Sequence, residues 1–197
     1  MSSEITKLGD SFGANASYGG GSVETVGLEG VYVAECFDSE GNLKWSDTIK
    51  NLTTNVGRQN LLNSYFANTG GGAIVMGLGG ANGSSTFTPA YGDTQASHAG
   101  WFEVGGANAP TYSGTRKTPS FSSATNANPS VLATSAAVVF SMTGSGTVYG
   151  AFINVGGSTA IDNTTGTLFS IGAFTAGSKT VTSGDTINVT YTLSAAG

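Results

Sequence analysis

The sequence predicts a mainly β protein: a β-sandwich or jelly-roll-like domain with one short helix, preceded by an extended N-terminal arm. Three observations carry this. Near the C-terminus, Ile187, Val189, Tyr191 and Leu193 alternate with Asn188, Thr190 and Thr192, the period of a strand wet on one face. Thirty-one glycines against four prolines supply many tight turns without any collagen-like period. Only one segment, around residues 55–67, repeats its apolar residues at helical spacing. Short strands at this spacing point to layered sheets with a single helix packed on them.

Residues 1–27 read as a Gly/Ser-rich arm, since Ser17-Tyr18-Gly19-Gly20-Gly21-Ser22 is too weakly apolar to build a core. Residues 28–197 form the single β-rich domain. Its first strand runs from Leu28 to Phe37, turns through Asp38-Ser39-Glu40-Gly41-Asn42, and returns from Leu43 to Ile49 as a hairpin carrying Trp45. The helix follows. Thr53, Thr54 or Asn55 caps it, Arg58, Leu61, Leu62, Tyr65 and Phe66 share one face, and Asn68-Thr69-Gly70-Gly71-Gly72 ends it. Ala73–Leu78 is a short apolar strand, and a long polar loop, Gly80–Gly100, leads to another at Trp101–Val104. Strands at Ala136–Met142, Thr147–Val155, Thr167–Phe174 and Thr186–Leu193 complete the set. Thr180–Thr186 reads as a hairpin turn, with Gly184 and Asp185 supplying the turn chemistry.

Charge is distributed unevenly. The last eighty residues carry only Asp162, Lys179 and Asp185, although charged side chains normally cover a soluble domain. Such a neutral Ser/Thr/Asn/Gly skin suits an extracellular or assembled structural protein better than a cytosolic enzyme. The net charge of −5 and a lone basic pair, Arg116-Lys117, give no footprint for nucleic acid. No apolar run is long enough to cross a bilayer, and Met1–Gly13 lacks the pattern of a signal peptide. The single cysteine, Cys36, rules out an internal disulfide and cysteine-based zinc sites, and its strand position makes it a core thiol. Synthesis in a reducing cytoplasm is therefore expected.

The loop containing Asp93, Ser97, His98 and Glu103 holds the only histidine. A nucleophilic triad draws its members from separate elements, and no Gly-x-Ser-x-Gly elbow surrounds Ser97. The expected role of His98 is to hydrogen-bond backbone and fix the turn. Asp93 or Asp162-Asn163 can donate oxygens to calcium, but no Asp-x-Asp-x-Asp spacing accompanies them. Gly77-Leu78-Gly79-Gly80 lacks the Lys-Ser/Thr of a phosphate loop. Trp45, Trp101, Tyr112 and Tyr149 are candidates for a sugar-binding face, although aromatic residues in β proteins more often fill cores. No cofactor, catalytic residue or metal is expected.

Several blocks taken together carry a resemblance. They are Asp38-Ser39-Glu40-Gly41-Asn42-Leu43-Lys44-Trp45, Asn51-Leu52-Thr53-Thr54-Asn55-Val56-Gly57, Gly77-Leu78, Gly150-Ala151-Phe152, Gly166-Thr167-Leu168-Phe169-Ser170 and Ser183-Gly184-Asp185-Thr186-Ile187-Asn188-Val189. The most specific is Gly92-Asp93-Thr94-Gln95-Ala96-Ser97-His98-Ala99-Gly100-Trp101. Over roughly residues 30–194 the chain resembles small virion-associated structural proteins of tailed bacteriophages. The resemblance implies a non-enzymatic virion component made in the host bacterial cytoplasm. The expected role is a capsid decoration (cement) protein on the outside of the head, with the major capsid protein and further copies of itself as partners. A tail-tube, tail-fibre or tail-tip component is the alternative, and a carbohydrate-binding adhesion module with a glycan contact is another. The expected assembly contacts are Tyr18, Gly19, Gly20 and Gly21 of the arm, with Trp101 and Tyr112.

Overall fold

In chain order the strands are β1 (Gly27–Phe37), β2 (Leu43–Lys50), β3 (Leu52–Thr53), β4 (Ile74–Gly80), β5 (Phe102–Val104), β6 (Ser130–Ala133), β7 (Val138–Ser141), β8 (Gly146–Val148), β9 (Gly150–Val155), β10 (Thr167–Ala173), β11 (Lys179–Val181) and β12 (Thr186–Ala196); the helix α1 spans Asn55–Phe66. This is a computed structural model, and it describes residues 26–81 and 86–197. The arm contacts expected at Tyr18, Gly19, Gly20 and Gly21 lie outside the described residues.

The fold is mainly β and sandwich-like, with all ladders between named strands antiparallel. One five-stranded sheet has the order β2-β1-β12-β6, with β7 following β6 along the same edge of β12. The other has the order β3-β10-β9-β4-β5, and β8 and β11 form a separate ribbon. Tyr32, Cys36, Phe140, Ile187 and Val189 from the first sheet meet Met76, Leu78, Val104 and Ile153 from the second in one buried cluster. The Tyr32 hydroxyl bonds the Ser170 hydroxyl at 2.7 Å, tying the two sheets across that core.

The sheets differ in how many faces they bury. β1 and the first half of β12 alternate between buried and exposed residues, because only their inner face meets the core. β9 is buried at all six positions, and β4 at all but Ile74. Their near-continuous apolar runs reflect a second core on the outer face of that sheet, built from Trp101, Phe152, Leu168 and Ile171 with Phe87 against them.

The hairpin β1–β2 forms as expected. Its turn is closed by the Asp38 carboxylate, which accepts from the Glu40 and Asn42 amides at 2.9 and 2.8 Å, and Gly41 takes the positive φ of 87° that the turn requires. The helix starts where the capping residues placed it. Thr54 is the N-cap, its hydroxyl accepting from the Gly57 amide at 2.9 Å and donating to the Leu168 carbonyl. Asn68, at φ 53°, turns the chain away after the helix.

Two expectations are corrected. The apolar stretch Thr147–Val155 is two strands, since Tyr149 interrupts it and β8 pairs with β11 while β9 enters the second sheet. Thr182–Asp185 is a turn, with the Asp185 amide bonding the Thr182 carbonyl at 3.1 Å, but it is a corner and not a hairpin. The strands it joins, β11 and β12, pair with β8 and β1 respectively.

Candidate assembly surface

Helix α1 sits on the second sheet the wrong way round for an isolated domain. Its inward residues are Val56, Gly57, Asn60 and Ser64, while the outward face carries Leu61, Leu62, Tyr65 and Phe66. A surface helix normally turns its apolar stripe inward. Here Tyr65 and Phe66 are 80 % and 79 % exposed, Leu62 57 % and Leu61 38 %. The inward face is set by a close approach: a Cβ on Gly57 would lie 2.3 Å from the Phe169 carbonyl oxygen, so only glycine lets the helix backbone rest on β10. The Thr54 cap, bonded to Leu168 of the same strand, fixes the helix rotation. Two rings left in water forgo roughly 1.5–3 kcal/mol each relative to burial. A folded monomer leaves that free energy available to a partner.

Beside the helix the inter-sheet core opens onto the surface. A groove of about 210 Å³ is lined by Ile74, Ile153 and Phe169 of the second sheet and by Leu132, Tyr191 and Leu193 of the first. Leu61 of α1 and Phe121 also line it, and no charged residue does. Phe121 is brought there by an extra backbone ladder, in which Ser122 and Thr125 donate to Ala133 and Val131 of β6, each at 2.9 Å. The outward helix face and the groove share Leu61 and form one continuous apolar patch. Tyr65 and Phe66 pack edge to face at 5.1 Å, which holds the two rings as one projecting unit.

The loop with the most specific sequence block has a different task. The Asp93 carboxylate accepts from the Trp101 indole N–H at 3.0 Å and from the Ala90 amide at 2.9 Å. His98 stacks on the same indole at 3.8 Å and donates from Nδ1 to the Trp101 carbonyl at 3.0 Å, the backbone-fixing bond expected of it. Buried Gln95 accepts from buried Asn154 of β9 at 2.8 Å. Together these bonds clamp the loop over the outer core, with Trp101 as its plug. No bond joins Ser97, His98 and an acidic side chain, so the four loop residues do not assemble a nucleophile and its base. Glu103 is instead buried against Arg116, which meets both its oxygens at 2.9 and 2.7 Å. Asp162 accepts from the Ala107 amide at 2.9 Å, and among the described residues no His/Cys/Asp/Glu group is placed to hold a metal.

Trp101 and Tyr112, expected as assembly contacts, are buried within the chain. They are 1 % and 3 % exposed: Trp101 fills the outer core and Tyr112 packs edge to face on Phe140 at 5.0 Å. The glycan-binding reading loses these two rings as well. The sequence put Leu61, Leu62, Tyr65 and Phe66 on one face, and that stripe alone does not say which way it points. A signal was present in the opposite stripe, Gly57, Asn60 and Ser64, whose small and polar side chains suit close approach to a sheet and leave little to bury.

A second polar cluster closes the Thr182–Asp185 corner. Asp185 is nearly fully buried. Burial pushes its carboxyl up, but the Lys44 ammonium at 2.6 Å and the Thr182 amide and hydroxyl outweigh that and hold it below its ordinary value. Buried Cys36 lies beside it, and desolvation, reinforced by the Asp185 charge, pushes its thiol up to about 12. A protonated, enclosed thiol is a packing residue.

Among the described residues no helix is long and apolar enough to cross a membrane. Comparison of the chain with protein-family models, curated proteins and solved structures finds no match.

Proposed function

We propose that this chain is a non-enzymatic structural protein of a tailed-bacteriophage virion, a decoration protein that binds the outside of the head and stabilises the shell. The observation that carries the assembly reading is the outward apolar face of α1 on a charge-poor β domain. The resemblance in sequence supports the virion as its setting. Stabilisation needs no chemistry: a protein that binds the assembled shell and not its free subunits shifts the equilibrium toward the shell by mass action. A sandwich whose Ala90–Trp101 loop is bonded down over the outer core suits that task, because less ordering entropy is lost on binding.

The test is the copy number in purified particles, by quantitative mass spectrometry against the major capsid protein. A ratio near that of the shell subunit supports head decoration. A ratio more than tenfold lower moves the protein to the tail, and absence from particles removes the virion reading.

A further inference from the structure

We propose that the α1 face and the adjoining groove bind a second copy of this chain, with Tyr65 and Phe66 of each copy seated against its partner's groove. The proposal rests on the assembly reading above and names the partner of that surface. Three features of the patch lead to it.

The first is shape. A projecting pair of rings and an open apolar groove lie side by side on one patch, sharing Leu61. A patch that carries both projection and recess can complement itself, which is what a contact between identical chains requires.

Charge is the second. From Asn55 through Ile74 the only charged residue is Arg58, and the groove lining adds none. Arg58 is already engaged, its guanidinium bonded to the Asn55 side chain and 5.4 Å from the centroid of the Tyr91 ring. Beyond this one exposed cation, a charged partner finds no counter-charge here. The surface that matches a neutral apolar patch is another neutral apolar patch, and the chain's net charge of −5 is otherwise a barrier to self-association. Two copies meeting here keep their acidic groups outside the contact.

Area is the third. Tyr65 and Phe66 alone present about 300 Å² of mostly apolar surface, taking roughly 200 Å² for each ring side chain. Leu61, Leu62 and the groove walls extend that centre, and Asn63, Asn68 and Thr69 supply a polar rim. A standard interface needs about 800 Å² per partner around such a centre. Pairing through the same patch buries both apolar centres at once.

The experiment uses the full chain, with mass measured by light scattering and sedimentation velocity from low to high micromolar concentration. The expected result is a dimer or other closed oligomer. Phe66→Lys places a charge at the centre of the contact, and a cation in the last helical turn is compatible with the helix dipole. It should weaken self-association by about 30-fold or more, equivalent to about 2 kcal/mol, with an unchanged circular dichroism spectrum and, at concentrations where both chains are monomeric, the parent's melting temperature. As an independent readout, chains carrying Tyr65→Cys and chains carrying Leu132→Cys are mixed and treated with a short bifunctional maleimide; buried Cys36 does not compete. A cross-link between the two kinds of chain places the helix of one copy at the groove of the other.

Three results overturn the proposal: a chain that stays monomeric throughout, an oligomer indifferent to Phe66→Lys, or a monomer that associates only after residues 1–25 are deleted. The last would assign the patch to the chain's own N-terminal segment. A closed oligomer in solution with no copies in particles would leave this inference standing while removing the virion reading.

Discussion

Replacing Arg116 by Met tests the polar lock on which the second sheet closes. Arg116 is 2 % exposed and meets both oxygens of Glu103, while its Nη1 and Nη2 also donate to the Ser158 and Asn163 carbonyls at 3.1 and 2.7 Å. Glu103 receives one further bond, from the Asp162 amide at 2.9 Å. Arg116→Met therefore leaves a buried carboxylate with a single backbone donor, and frees two carbonyls of the segment joining β9 to β10. Breaking a buried pair by removing one partner costs about 3–5 kcal/mol. For a chain of this length that lowers the melting temperature by roughly 6–20 °C. The assay is thermal unfolding by calorimetry for Arg116→Met, Glu103→Leu and the double variant. The double variant should lose less than the sum of the two singles, because it leaves no unpaired charge, and the difference should be at least about 1 kcal/mol. Limited proteolysis should cut Arg116→Met between residues 157 and 165. A melting temperature within about 2 °C of the parent, or strictly additive losses, would refute the reasoning.

Three further predictions concern the helix, the corner and the thiol. Gly57→Ala should destabilise the fold by about 1–3 kcal/mol despite alanine's better helix propensity, because its Cβ would meet the Phe169 carbonyl oxygen at 2.3 Å. A urea midpoint that rises instead would mean the helix does not rest on β10. The Asp185 carboxyl is held below its ordinary value, so its stabilisation is complete above that value and lost as pH falls through the lower, folded one. Melting temperature should therefore fall with acidification below about pH 4, and Lys44→Met should flatten that part of the profile. Finally, Cys36, buried and pushed up to about 12, should resist aromatic disulfide reagents at neutral pH and react at least about 100-fold faster in denaturant. Rapid labelling of the native chain would place the thiol outside the core.

Local order was legible wherever one short stretch of chain sets its own geometry. The β1–β2 turn follows from Asp38 and Gly41, the start of α1 from Thr54, and the one-sided burial of β12 from the alternation of Ile187, Val189 and Tyr191. Legibility stopped where a neighbour distant in sequence decides. Val148 and Ala151 are both apolar, yet they lie on either side of the break that sends β8 to the ribbon and β9 into the sheet. Leu132 and Phe121, in a Ser/Thr/Asn-rich stretch, gave no strand signal, because their ladder depends on the exposed edge of β12 and on each other. Arg116 read as half of a lone basic pair, and only the fold brings Glu103 to it.

By itself, then, the sequence determined the fold class, the hairpin, the helix limits and the low-charge skin, because these depend on periodicity, capping and composition, which act over a few residues. Tertiary structure alone decided which way those elements face. The same apolar stripe on α1 satisfies helical spacing whether it points into a core or out of it. The choice falls to Gly57, which can touch the Phe169 carbonyl, and to Thr54, which bonds Leu168. Likewise the Gly92–Trp101 block reads from the sequence as a polar loop, and its role as a clamp exists only because a sheet buried on both faces needs Trp101 as its cover. Burial is a property of the surroundings, and those surroundings come from residues far away in the chain.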